Sequence, residues 1–144
     1  MKLLLSFFCC CSLFFCQAQN KIDIQLDSIL SINDRAIRIE LLTKLEGSKL
    51  PLDSLQKGRL YHVLGLNLYY AKKYQKSVEN VEKAVAFKES IRETDPESFQ
   101  KSLNLLNSSY NKHGDQEMRL KTLYRILGEK QRTKYTQFTL DRLS

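Results

Sequence analysis

Apolar residues recur along most of this chain at the three- and four-residue spacings that place side chains on one side of a helix. They predict helices around residues 22–30, 37–45, 54–72, 78–85, 103–110 and 120–126, and a last one over 133–144. Turn signals separate these segments: Asn33-Asp34, a Gly47–Leu52 loop, a break near Lys73, and His113-Gly114-Asp115. The pattern predicts an all-α protein of consecutive helix pairs.

Two helix starts carry recognisable capping signals. Asp53 precedes a helical run and Gln56 follows three residues later, which is the spacing of a capping box. Asp95 is placed to cap another helix, and Pro96 occupies the first helical position, where a missing N–H is tolerated. Helices are therefore expected to begin at Ser54 and Pro96.

The first residues have the layout of a secretory signal peptide over residues 1–19. Lys2 precedes the apolar run Leu3–Phe15, and Cys16-Gln17-Ala18 forms a cleavage site. The run is shorter than the roughly 20 residues that span a bilayer. Export to the periplasm or outside the cell is expected. A lipoprotein modified at Cys16 is the alternative, which the bulky Phe14 and Phe15 disfavour.

The composition excludes several kinds of chemistry. All four cysteines lie within residues 9–16, so a mature chain would have no thiol for catalysis or metal binding. His62 and His113 are the only histidines, and no metal-ligand spacing, phosphate-binding glycine loop or nucleophile motif occurs. We expect no metal, no cofactor and no enzymatic activity.

The charge balance bears on partners. The chain has 23 Lys and Arg against 16 Asp and Glu, a net charge of +7. For an exported protein, this excess favours an acidic peptide or protein, acidic glycans or lipid headgroups of the envelope over nucleic acid. Lys121, Arg125 and Arg132 fall near one side of a helix, and we interpret them as a solvated face rather than a dedicated acidic-ligand patch.

Two segments are related by an internal pattern. In residues 58–91 the first helix carries Tyr61, Leu64, Gly65 and Leu68, and the second carries Tyr74, Ser77, Val81 and Ala84. In residues 92–132 the corresponding positions are Leu103, Leu106, Asn107, Tyr110, Leu123 and Ile126. The chain resembles tetratricopeptide repeat (TPR) proteins of an exported, Bacteroidetes-like bacterial type.

This resemblance implies a fold and a division of the chain. Antiparallel helix pairs would stack as a short right-handed solenoid. After the signal peptide, residues 20–57 would form a degenerate helix pair, 58–91 and 92–132 the two repeats, and 133–144 a terminal helix. That helix would cap the stack. The alternative is that it begins a further repeat of a longer chain.

The resemblance also implies a site and a function. In TPR stacks the first helices of the pairs line a concave face that binds ligands. Carried onto this chain, that face would comprise Arg59, His62, Leu66, Tyr69, Tyr70, Lys101, Asn104, Ser108 and Asn111. The expected function is an interaction or scaffolding module for a peptide, protein or envelope component. The alternative is the sensory part of a membrane signalling protein whose effector domain is absent here.

Overall fold

The computed structural model describes residues 22–48 and 50–143, with side chains described as far as Arg132. These residues form six α-helices and no strand. They are α1 (residues 22–30), α2 (Arg35–Glu46), α3 (Ser54–Tyr70), α4 (Tyr74–Lys88), α5 (Pro96–His113) and α6 (Gln116–Leu143). A short 3-10 helix, Glu89–Ile91, follows α4. The predicted all-α class is confirmed.

Local capping chemistry fixes the helix ends as the sequence predicts. Asp53 accepts from the N–H of Gln56, whose side chain accepts in return from the N–H of Asp53. Asp95 caps α5, with Pro96 at its first position. Gly114 ends α5 in the left-handed region at φ 97°, which glycine adopts without strain. α3 ends two residues earlier than predicted, because Lys72 adopts φ 60°.

α3 and α4 form a closely packed antiparallel pair. A Cβ at Gly65 would lie 2.4 Å from Cγ2 of Val81, so only glycine allows the two backbones to approach this closely. The hydroxyl of Ser77 donates to the carbonyl of Gly65 at 2.9 Å and lies 2.9 Å from the hydroxyl of Ser109 on α5. Small residues therefore set the spacing of three helices.

The buried apolar side chains form two clusters. One joins α1, α2 and α3 around Leu26, Leu42 and Leu60, and the other joins α4, α5 and α6 around Val81 and Phe99. α3 and α4 connect the two clusters through the contact between Gly65 and Val81. Each helix pair thus shares its core with a neighbouring helix.

The C-terminal region differs from the prediction in two ways. Helix α6 is continuous from Gln116 through Leu143, so residues 133–144 do not start a separate capping helix. The sequence between Ile126 and Thr133 has no proline, and the single glycine there, Gly128, does not end the helix. The core side of α6 also differs: Thr122 and Ile126 are buried, whereas Leu120 is 55% exposed.

Some predictions fall outside what the structure describes. The signal peptide over residues 1–19 lies entirely outside the described residues. Within residues 22–48 and 50–143, no helix is both long enough and apolar enough to cross a membrane.

Candidate functional site

Helices α1, α3 and α5 lie side by side, and polar contacts between them fix this arrangement. Arg59 on α3 forms ion pairs with Asp23 and Asp27 on α1, at 3.1 and 2.5 Å. On the other flank of α3, Nδ1 of His62 lies 2.9 Å from the hydroxyl of Ser102 on α5. The side of α3 and α5 that carries the nine predicted site residues, some exposed and some half-buried, is called the first-helix face below.

Two of the predicted ligand-binding residues already have partners within the protein. Arg59 is only 37% exposed in its side chain, and two carboxylates neutralise its guanidinium. His62 is half-buried, and burial, together with the charges of Lys88 and Lys101, lowers its pKa to about 4. Its imidazole is therefore neutral at pH 7, and both residues hold helices together.

The aromatic part of the first-helix face divides into a packed and an exposed portion. Leu66 and Tyr69 are half-buried against the core that α4, α5 and α6 share. Tyr70 is 59% exposed, with its ring edge-on to that of Tyr69 at 5.6 Å and the guanidinium of Arg35 5.3 Å from its centre. Tyr70 is thus an accessible ring in a fixed position.

The α5 part of the face is polar and open to solvent. Lys101, Asn104 and Asn111 are exposed, and Ser108 is half-buried. Lys101 pairs with Glu97, Asn104 accepts from the side-chain amide of Gln100, and the Ser108 hydroxyl donates to the carbonyl of Asn104. Lys101 precedes Ser102, whose hydroxyl lies 2.9 Å from His62, and it therefore lies on the part of α5 next to α3. The amides of Asn104 and Asn111 are accessible for hydrogen bonding.

This face has a further exposed residue that was not predicted from the sequence. Leu55, one turn before Arg59 on α3, is 51% exposed. Its four-residue spacing from Arg59 could have placed it on the same side of α3, but no repeat position pointed to it. With Tyr70 it gives the face two exposed apolar side chains along one helix.

A buried lysine lies beneath the same region. Lys88 is only 3% exposed, and burial lowers its pKa to about 8. Its ammonium donates to the carbonyl of Ser98 at 3.3 Å. Its side chain lies against Gly58, where an added Cβ would come within 2.8 Å of its Cγ. Lys88 thus joins the end of α4 to the first turn of α5, and Gly58 provides the room.

A groove of about 550 Å³, also not predicted, lies between α4, α5 and α6. Its floor is mainly apolar: Val85, Ala86, Leu106, Tyr110, Met118 and Thr122. The charged side chains at its rim already have partners within the protein. Arg125 contacts Glu89, and Glu82 accepts a hydrogen bond from the Tyr110 hydroxyl. Burial, followed by the bond to Glu82, raises the pKa of Tyr110. This groove therefore provides an apolar concave surface, but few of its polar groups are free to bind a ligand.

The three basic residues of α6 that the sequence places near one side of the helix also have acidic partners. Lys121 pairs with Glu117 at 2.7 Å, Arg125 contacts Glu89, and Arg132 contacts Glu93 and Glu129. An acidic ligand would have to compete with these carboxylates. This arrangement agrees with the interpretation of these cations as an ordinary charged face.

Among the residues with described side chains, no group of three His, Cys, Asp or Glu is arranged to hold a metal ion. The resemblance to TPR proteins rests on the residues given above. The chain matches no protein-family model, no curated protein and no solved structure.

Proposed function

We propose that this protein is a short TPR-like interaction module that binds a polypeptide segment across its first-helix face. Its helix pairs would stack as a right-handed solenoid, with α1, α3 and α5 on the concave side. The close packing at Gly65, where the repeat pattern expects a small residue, supports this assignment. The partner is a peptide, a protein or an envelope component, and the protein acts by binding rather than by catalysis.

The observation that carries the proposal is the side-by-side position of α1, α3 and α5. Contacts from Arg59 to Asp27 and from His62 to Ser102 hold the three helices in register. The first-helix face then offers the exposed apolar side chains of Leu55 and Tyr70 on α3 and the exposed amides of Asn104 and Asn111 on the neighbouring α5. An extended peptide can use both kinds of group, because its backbone forms hydrogen bonds while its apolar side chains pack against apolar residues.

The structure changes which residues should be mutated to test this proposal. Arg59 and His62 hold helices together, so their replacement would confuse loss of binding with loss of fold. Among the described contacts, the side chains of Tyr70 and Asn104 form no such hydrogen bond or ion pair between helices, and the Tyr70 ring has a cation–π contact with Arg35 on α2. Ile37 on α2 is the control, since it is an exposed apolar residue outside α1, α3 and α5.

We expect the double variant Tyr70→Ala, Asn104→Ala to lose at least tenfold in affinity for its partner. A tyrosine anchor at an interface is commonly worth more than about 1 kcal/mol, and 1.4 kcal/mol corresponds to tenfold. The wild type, the double variant and Ile37→Ala would each be immobilised and exposed to envelope extract of the producing cell. Captured proteins would be quantified by mass spectrometry, and affinities then measured by calorimetry.

Comparison of the double variant with the control variant shows whether the first-helix face binds the partner. Capture by the wild type and Ile37→Ala, but not by a folded double variant, would support the first-helix face. Equal capture by the double variant and the wild type would refute it, and loss only with Ile37→Ala would move the site to α2. Circular dichroism of each variant establishes that it is folded.

We also propose that the protein is exported, and this has a separate test. Cleavage after Ala18 or Gln19 should leave a mature chain that begins near Gln19 or Asn20. Intact-mass measurement of the protein recovered from the periplasm or medium checks this directly. A recovered chain that still contains Lys2, or that carries lipid on Cys16, would contradict it.

A further inference from the structure

The outward side of α6 carries a row of exposed apolar side chains. Leu120, Tyr124 and Leu127 are 55%, 74% and 55% exposed, and their spacing of four and three residues aligns them along the helix. We call these three residues the α6 stripe. Met118, Thr122 and Ile126 face the opposite way, toward α5. Single exposed apolar residues are ordinary, whereas a contiguous row indicates a contact surface.

A glycine next to this row has no explanation in the packing of the described residues. Gly128 lies in the middle of α6, where glycine is less favourable than every residue except proline. A Cβ built on Gly128 meets no atom within 4 Å, whereas one at Gly65 or Gly58 would collide with a neighbour. A missing side chain beside an apolar row allows another helix to approach closely.

The α6 stripe is complementary to itself. If a second α6 lies antiparallel across it, with a two-fold axis near Tyr124, Leu120 of each copy faces Gly128 of the other. A two-fold symmetric interface requires this reciprocity. If one residue of the first copy contacts a second residue of the other copy, symmetry creates the reverse contact as well. Glu117 of each copy, which also pairs with Lys121 of its own helix, comes near Lys130 of the other, and both Glu117 and Lys130 are exposed. A large side chain thus meets a gap, and a carboxylate meets an ammonium.

We infer that the protein self-associates as an antiparallel dimer through the α6 stripe, with Leu120 of each copy packed against Gly128 of the other. This inference is independent of the first-helix face, since neither Tyr70 nor Asn104 takes part. One pair of helices buries less than the roughly 1,600 Å² of a standard interface. The dimer should therefore be weak, with a dissociation constant of about 10–100 μM.

Sedimentation equilibrium tests this inference on the chain expressed in full and purified as its host cell processes it. Concentrations should extend from about tenfold below to about tenfold above the expected dissociation constant. The wild type is expected to pass from monomer to dimer over this range. Leu127→Glu should remain monomeric throughout, and Gly128→Leu should weaken the dimer at least tenfold by filling the gap. Ile37→Glu, at an exposed apolar residue of α2, is the control that should dimerise normally.

A charge exchange tests the antiparallel register. Glu117→Lys and Lys130→Glu should each weaken the dimer severalfold, and the double variant should recover the wild-type dissociation constant. A wild type that stays monomeric at the highest concentration would overturn the inference, as would a dimer that survives Leu127→Glu. Single charge variants that weaken the dimer without recovery in the double variant would overturn the antiparallel register.

Discussion

Gly65→Leu is expected to lower the free energy of unfolding by about 3 kcal/mol, at the upper end of the range for overpacked cores. The reason is local and steric. Even a Cβ at this position would lie 2.4 Å from Cγ2 of Val81 and 3.4 Å from the Ser77 carbonyl oxygen. Val81 is fully buried and β-branched, so it has little freedom to move aside. The α3–α4 pair would have to separate.

Gly128→Leu is the matched control, because it makes the same change in an open place. No atom lies within 4 Å of a Cβ there, and leucine favours a helix over glycine by about 0.8 kcal/mol. This variant should be as stable as the wild type or slightly more so. Urea denaturation of both variants, at concentrations where the chain is monomeric, measures the difference. Equal effects of the two substitutions would contradict the assigned packing of α3 on α4.

The sequence predicted local features of the fold well because their causes are local. The Asp53–Gln56 capping box, the start of α5 at Asp95-Pro96 and the turn at Gly114 each depend on residues within one helical turn. Gly65, which the sequence gives only as a position of the repeat pattern, lies where α3 and α4 approach closely. This contact joins residues far apart in sequence, and the repeat pattern marks one of them.

The error in α6 has an equally physical cause. Leu120, Leu123 and Ile126 occur at helical spacing, and so do Met118, Thr122 and Ile126. Only packing against α5 decides which side turns inward, and the structure buries the side with Thr122 and Ile126. Periodicity identifies a helix that has two apolar sides, but it does not choose between them. The unexpected exposure of Leu120 is what reveals the α6 stripe.

The candidate site was predictable only in part, because side-chain partners lie far away in sequence. The positions of Tyr70, Lys101, Asn104 and Asn111 on the outside of α3 and α5 follow from helical spacing, and they are exposed. The pairing of Arg59 with Asp23 and Asp27, more than 30 residues earlier, does not follow from any local pattern. A cation without an acidic partner nearby in sequence can therefore still form an ion pair between helices in the fold.

The chain should lose stability on acidification between about pH 6.5 and pH 4 because of His62. Burial lowers its pKa in the folded chain to about 4, from an ordinary value of 6.5. In this interval the unfolded chain binds a proton that the folded chain does not, so each step toward lower pH favours unfolding. Above pH 6.5 the stabilising contribution is complete. A shift of this size corresponds to about 2–3 kcal/mol lost by pH 4.

Comparison of the two histidines isolates this effect from the titration of carboxylates, which also destabilises many proteins in acid. His62→Gln keeps a hydrogen-bonding side chain near Ser102 but removes the titrating group, and His113→Gln makes the same change at an exposed position. Urea denaturation at pH 7, 5.5 and 4 should show that His62→Gln flattens the decline by about 2 kcal/mol. His113→Gln should follow the wild type. If the wild type and His62→Gln decline in parallel, the imidazole is not buried between α3 and α5 as described, and the contact that aligns these helices in the proposed binding face would be lost with it.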